Sequence, residues 1–281
     1  MRLDRFLADS RPEHSRSVWQ KFIKLGRVLV DGATEKNISR SVDERNLVKF
    51  EAPPASDFSD HSLPVLFENE DVLVLNKPAG ILTHAKGALD EEFTVAEFVR
   101  PKWSGASSNR SGIVHRLDRA TSGVIITAKN ERAARYLQKQ FSERKAKKTY
   151  IAVLAHAPKN PAAKIDAPIG RNPKHPAEFR VDANGKSAVT NYRVLAVNEA
   201  GQVVAELKPE TGRTHQLRVH MAFAGASIVG DVIYGEAGEQ MLLHAYKLEI
   251  SVPDGDKNRR MTFTAPLPEY LLKGFDDVKI D

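Results

Sequence analysis

The chain has 281 residues, 42 Lys+Arg against 36 Asp+Glu for a formal net charge of +6, with 41% hydrophobic and 28% charged residues. That balance fits a folded protein of one large domain, or a large and a small one, and argues against a disordered chain. Cysteine is absent, which excludes a disulfide framework and thiolate-held zinc or iron–sulfur centres. No apolar run nears the roughly 18–20 residues of a membrane span, and the opening MRLDRFLADSR lacks the apolar stretch of a secretory signal. A soluble, cytoplasmic protein is expected.

Residues 1–51 read as one compact unit. Leu3, Phe6 and Leu7 have helical spacing, and a second helix starts near Ser15 with Val18, Phe22 and Ile23 on its apolar side. Gly26 sits where a left-handed C-terminal cap belongs. Val28–Val30 then reads as a strand, Asp31-Gly32 as a tight turn, and Asn46–Phe50 as another strand. The Pro- and Ser-rich stretch over 52–61 reads as a linker.

From residue 62 to 281 short apolar strands alternate with loops and a few helices. The clearest strands are Val72–Leu75, Gly123–Ala128, Tyr150–Leu154, Val203–Leu207 and Leu248–Val252. Helical patterns cover Val95–Arg100, Glu131–Arg144 and Thr214–Ala224. In the middle one Ala133, Ala134, Leu137 and Phe141 share a face and leave the Lys and Arg residues on the other. Without strict strand–helix alternation, the pattern predicts an α+β fold with a large mixed or antiparallel sheet.

The positive charge is concentrated. Lys129–Lys148 carries a net +6 and residues 1–50 a net +4, so the remainder is acidic. Each run alone suits a solvated helix face; two together suit a polyanion-binding surface.

Phosphate-cradling glycine loops, the G-x-S-x-G elbow and H-E-x-x-H are all absent. His215 and His220 lie five apart, a poor match to one helix face, so a histidine metal site is not expected. Two polar stretches stand out. His115-Arg116-Leu117-Asp118-Arg119-Ala120-Thr121-Ser122-Gly123 precedes an apolar strand and reads either as a salt-bridged turn or as a carboxylate held ionised for nucleophilic or base work. Gly212-Arg213-Thr214-His215-Gln216-Leu217-Arg218-Val219-His220 packs cations and imidazoles between apolar residues. A buried cation there needs an anionic partner, for which Asp118 is a candidate.

These stretches resemble the RluA-type pseudouridine synthases. Residues 115–123 match H-R-L-D-x-x-T-S-G, and 212–220 match G-R-T-H-Q-[IL]-R-V-H. Asn76–Gly80 resembles N-K-P-x-G and Lys148–Val153 resembles K-x-Y-x-A-x-V. Gly230–Gly235 matches G-D-x-x-Y-G and Leu243–Ala245 matches L-H-A. Residues 1–51, with Ser15-Arg16-Ser17 and Ile23–Gly32, resemble an S4 RNA-binding domain, a helix–helix–strand module.

The resemblance implies isomerisation of uridine in RNA to pseudouridine with neither cofactor nor metal. It implies Asp118 as the catalytic aspartate, Tyr150 stacked on the target base and Arg218, in preference to Arg213, paired with the aspartate. Arg116, Leu243, Arg213 and Lys77 would bind substrate, with Arg116 entering the space that the extruded base vacates. Arg16, Lys21, Lys24 and Arg27, with Arg132, Arg135 and Lys139 on the basic helix, would track the RNA backbone. His215 and His220 are expected to be satisfied core residues, and Asp231 to brace a turn. A monomer acting on large-subunit ribosomal RNA is expected, with tRNA as the second substrate class. Two other readings are a non-catalytic RNA-binding or ribosome-assembly factor, which the intact Asp118 motif disfavours, and a ribonuclease working through His115, His215 and His220.

Overall fold

The computed structural model describes residues 1–52, 57–85, 92–106, 110, 112–255, 257–276 and 278–280. They form two compact units, one built chiefly from Met1–Phe58, the other from Ser59–His84 and Phe93–Asp281. Within the 52–61 stretch read as a linker, residues 53–56 lie outside the described residues.

In the first unit α1 (Leu3–Ser10) and α2 (Arg16–Lys24) pack on a three-stranded antiparallel sheet of β1 (Val28–Val30), β2 (Ala33–Glu35) and β3 (Val48–Phe50), in the order β2-β1-β3. Asp31 and Gly32 both take positive φ, 54° and 85°, as a tight hairpin turn requires. The short, exposed β2 that follows has no apolar alternation to betray it. Trp19, Phe22 and Phe50 close the core, with ring centroids 4.6–5.7 Å apart.

The second unit is organised by a nine-stranded sheet. It begins with β4 (Val65–Glu68) and β5 (Val72–Lys77), then α3 (Val95–Val99), β6 (Ser122–Ala128), α4 (Glu131–Ser142) and β7 (Lys147–Leu154). After β8 (Ala162–Asp166) a separate hairpin of β9 (Ile169–Arg171) and β10 (Phe179–Val181) leaves the sheet. β11 (Val189–Val197), β12 (Val203–Pro209), α5 (Gln216–Phe223), β13 (Leu243–Asp254) and β14 (Lys257–Thr264) complete it. The order is β4-β5-β6-β13-β7-β12-β11-β8, with β14 beside β13. The sheet is mixed as expected: β6 and β13 run parallel while the other paired strands run antiparallel.

Both faces of β5 and β6 are covered, which is why they are continuous apolar runs rather than alternating ones. Val72, Val74, Val124 and Ile126 meet Ala133 and Leu137 of α4 on one side. Leu73, Leu75 and Ile125 meet Val95 and Val99 of α3 on the other. α4 starts where Asn130 Oδ1 accepts the Ala133 amide at 2.9 Å, a cap worth about 1 kcal/mol. Among the described residues no helix is long and apolar enough to cross a membrane.

The parallel contact dictates one glycine. Gly123 has φ +110°, and a Cβ built on it would lie 2.2 Å from the Ala245 carbonyl oxygen. Neither the backbone angle nor the spacing of β6 and β13 admits a side chain. Gly123→Ala should cost roughly 3 kcal/mol or more of unfolding free energy in urea titrations. A loss below about 1 kcal/mol would mean that the strands separate there freely.

Candidate active site

The segment before β6 carries Asp118, and its neighbours are fastened on both sides. Thr83 Oγ1 donates to the Leu117 carbonyl at 2.8 Å and accepts the Leu117 amide at 3.1 Å. The Arg119 carbonyl accepts from Gly80 N at 2.8 Å and from Lys77 Nζ at 3.2 Å. Lys77 Nζ also donates to the Pro78 and Ile81 carbonyls, both at 2.9 Å. Three carbonyls take the three protons of an ammonium, although burial pulls the Lys77 pKa down to about 7 against the nearby Asp118 charge. Lys77 is wholly buried, so the expectation that it touches substrate is corrected: it ties the Asn76–Gly80 turn to the aspartate loop.

α5 begins at Gln216, two residues later than its sequence pattern suggests, because His215 takes a left-handed φ of 56°. This start aims Arg218 inward. Its Nε and Nη2 grip the two oxygens of Asp231 at 2.7 and 2.6 Å, while Nη1 lies 3.6 Å from Asp118 Oδ2. The primary partner of the buried cation is therefore Asp231, with Asp118 second. Burial works against the Arg218 charge, and the Asp231 hydrogen bonds outweigh it and raise the pKa. Burial likewise opposes the Asp231 charge, but Arg218 and the amides of Ile233 and Tyr234 hold its pKa below the usual carboxylate range.

Asp118, Tyr150, Arg116, Arg213, Arg218 and Leu243 line one cavity of about 460 Å³, within the roughly 300–1,000 Å³ of small-molecule sites. Burial, and then the Asp118 carboxylate, push the Tyr150 phenol well up, so it stays protonated. Lys148 also lines the wall, donating to the Thr211 carbonyl at 3.0 Å, and burial followed by Arg213 lowers its pKa to about 8. Arg213 itself donates to Ser187 O at 3.0 Å and takes no part in the carboxylate pairing. Among the described residues no three His, Asp or Glu side chains gather as a metal site.

The histidines part company. His220 is fully buried between Thr190 Oγ1 and the Ala167 carbonyl, both at 2.9 Å. His115 Nε2 accepts the Ile126 amide at 3.1 Å while its ring stacks on Phe141. Both are occupied structurally, which leaves the ribonuclease reading without its trio. His215 differs from the core residue expected of it, since it lines the cavity with Nε2 3.9 Å from Asp118 Oδ2. Its partner Tyr234, at 2.8 Å from Nδ1, belongs to G-D-x-x-Y-G, and only that motif could have marked it in the sequence.

The basic residues divide in the same way. Arg16 is spent on the fully buried Asp4, which Gln20 and Arg2 also reach, and Arg132 is spent on Asp71 at 2.9 Å. Each compensates a buried carboxylate while its side chain stays half or more exposed. Arg135 and Lys139 are largely exposed, held only at 4.0 and 3.9 Å by Glu131 and Glu143. Lys21 and Lys24 are exposed and Arg27 is half-buried.

Residues 71–223 match the RNA pseudouridylate synthase family and residues 1–48 the S4 domain. The chain is 35% identical to an uncharacterized RNA pseudouridine synthase of Aquifex aeolicus over 95% of its own length and 90% of that protein's. It is 35% identical to the ribosomal large subunit pseudouridine synthase D of Pseudomonas aeruginosa, covering 96% and 90% of the two chains. A solved structure, human RNA pseudouridylate synthase domain containing 1, is similar with TM-score 0.60 and 28% identity over 79% of this chain and 89% of that one.

Burial, and then Lys148, lower the His115 pKa from 6.5 to about 3. The unfolded chain therefore takes up a proton that the folded site refuses. The stability contributed by neutral His115 is complete above pH 6.5 and lost as pH falls towards 3. His115→Gln, which keeps an acceptor for the Ile126 amide, should flatten the decline of unfolding free energy between pH 6 and pH 4. Parallel declines in urea titrations of the two proteins would remove His115 from the acid response.

Proposed function

Because the chain belongs to the RNA pseudouridylate synthase family and carries an S4 domain, we propose that it isomerises uridine in large-subunit (23S) ribosomal RNA, with Asp118 as the catalytic residue. The observation that carries this reading is the setting of Asp118. The carbonyls of its neighbours in the chain are clamped by the Thr83 and Lys77 side chains, and its carboxylate faces a cavity beside an arginine already committed to another acid. Relatives named ribosomal large subunit pseudouridine synthase D, in Pseudomonas aeruginosa and Xanthomonas campestris, support the choice of RNA.

The reaction breaks the N1–C1′ bond, turns the base and joins C1′ to C5; the C5 hydrogen leaves to solvent and N1 gains one. Attack on C1′, addition at C6 and abstraction of a sugar proton all begin from an ionised Asp118. Arg218 keeps that charge in place, Tyr150 stacks on the uracil and Leu243 closes the apolar side. Arg116, exposed at the mouth of the cavity, fills the gap left by the flipped nucleotide and recovers part of the few kcal/mol of lost stacking. Residues 1–51 form the RNA-binding arm, 52–61 the linker and 62–281 the catalytic domain, working as a monomer in the cytoplasm. Lys21, Lys24 and Arg27 on the arm, with Arg135 and Lys139 on α4, supply phosphate contacts.

Tritium release from RNA labelled at C5 of uridine tests the assignment. Wild type should release it from unmodified ribosomal RNA and Asp118→Asn should not; more than about a tenth of wild-type turnover in the mutant would remove Asp118 from the chemistry. Tyr150→Phe should slow product formation, and unchanged kinetics would take the phenol out of the mechanism. Faster release from tRNA than from ribosomal RNA would reassign the substrate, and stable RNA binding with no release would favour a binding factor. Lys21→Ala/Lys24→Ala should make the salt dependence of RNA affinity shallower by about 1.4–1.8 in logarithmic slope. An unaltered slope would contradict the role given to α2.

A further inference from the structure

Resting on the proposed reaction, we infer that His215 is a positioning residue: with Nδ1 engaged by Tyr234, it presents Nε2–H to Oδ2 of Asp118 and, together with Arg218, sets the orientation of the reacting carboxylate.

The hydrogen-bond directions follow from donor arithmetic. The Phe179 amide can only donate, and it donates to the Tyr234 oxygen at 2.9 Å. With that lone pair taken, we assign the phenol's own hydrogen to His215 Nδ1, 2.8 Å away and the hydroxyl's other partner among the described residues. An imidazole that accepts at Nδ1 is neutral and carries its proton on Nε2. That nitrogen is the one facing Asp118 Oδ2, at 3.9 Å, with Arg218 Nη1 3.6 Å from the same oxygen. Both distances exceed a hydrogen bond in the free protein, and catalytic contacts of this kind tighten when substrate binds.

The imidazole has little freedom to be elsewhere. Phe179 and Tyr234 meet its ring edge-on, each with centroids 5.6 Å away. The backbone at His215 is left-handed, a conformation that is costly for a non-glycine residue and persists where surrounding contacts demand it. Charged and titratable groups reach the ring from three sides. Asp118 and Arg116 come from the loop before β6, Arg218 from α5, and Asp231 with Tyr234 from the segment after α5. On the β10 side Phe179 carries Arg171 stacked 5.4 Å from its ring centroid. Burial lowers the His215 pKa, Arg218 and Arg116 add to that, and Asp118 and Asp231 oppose it. A neutral donor orients Asp118 without a second cation to quench its charge.

The tautomer is directly observable by long-range 1H–15N NMR of the intact protein. At pH 7 His215 should be neutral, with a protonated Nε2 and an accepting Nδ1; a protonated Nδ1 overturns the inference. In Asp118→Asn the His215 titration midpoint should fall, because the favourable carboxylate is gone, and an unmoved midpoint also overturns it. Tyr234→Phe should lower kcat about tenfold with KM for RNA within about twofold. It should also shift the acid limb of kcat to higher pH, since Nδ1 loses its donor and protonates more readily. A pH profile superimposable on wild type would refute the assignment. If Tyr234→Phe does not fold, His215→Gln and His215→Leu carry the kinetic test. Gln keeps a donor and should retain most turnover, Leu should lose turnover, and equal loss in both overturns the inference. Absence of tritium release by wild type would strike the proposed function, while the two NMR results would still decide the His215–Asp118 contact.

Discussion

The Arg218 guanidinium is the fixed point of the site. Buried in the second unit, it would cost several kcal/mol to desolvate alone, and Asp231 takes up that cost through two hydrogen bonds of 2.6 and 2.7 Å. Asp231 is in turn held by two backbone amides, so the pair is a rigid support rather than a mobile salt bridge. What remains of the arginine's field, through Nη1, falls on Asp118. A cation whose charge is largely spent elsewhere anchors a second carboxylate without neutralising it, which suits the reactive role proposed for Asp118.

The scaffold delivers Asp118 to that support by backbone restraint. Lys77 at the end of β5 and Thr83 beyond it hold the carbonyls and amide on either side of the aspartate. Gly123 then lets β6 lie against β13, whose first residue, Leu243, lines the cavity. The lysine and the glycine are thus needed for placement. Lys77 is buried by its partners, and Gly123 is defined by the atoms that a side chain would strike.

Positive charge in this chain serves two ends that composition cannot separate. Arg16 and Arg132 compensate Asp4 and Asp71, carboxylates with little or no exposure, and contribute to the fold. Arg135, Lys139, Lys21 and Lys24 stand in solvent, with local acidic partners too distant or too exposed to bind them firmly. The second group carries no such obligation to the fold.

The sequence by itself determined much of the local structure. Asp31-Gly32 dictates its turn, the continuous apolar runs of β5 and β6 their double burial, and the 3.6-residue spacing of Ala133 and Leu137 the inner face of α4. It also singled out residues 115–123 and 212–220, parts of which meet in the cavity. Short strands such as β2, β9 and β10 were not legible, because three residues carry too little periodicity to distinguish strand from loop. Only the tertiary structure decided the partnerships: Arg218 with Asp231 before Asp118, Lys77 with three carbonyls, and His215 with Tyr234. Asp118 lies 100 residues before Arg218, and whether a charge in the trio of Asp118, Arg218 and Asp231 is solvated, neutralised or left free to react depends on burial and separation, which spacing in sequence does not encode.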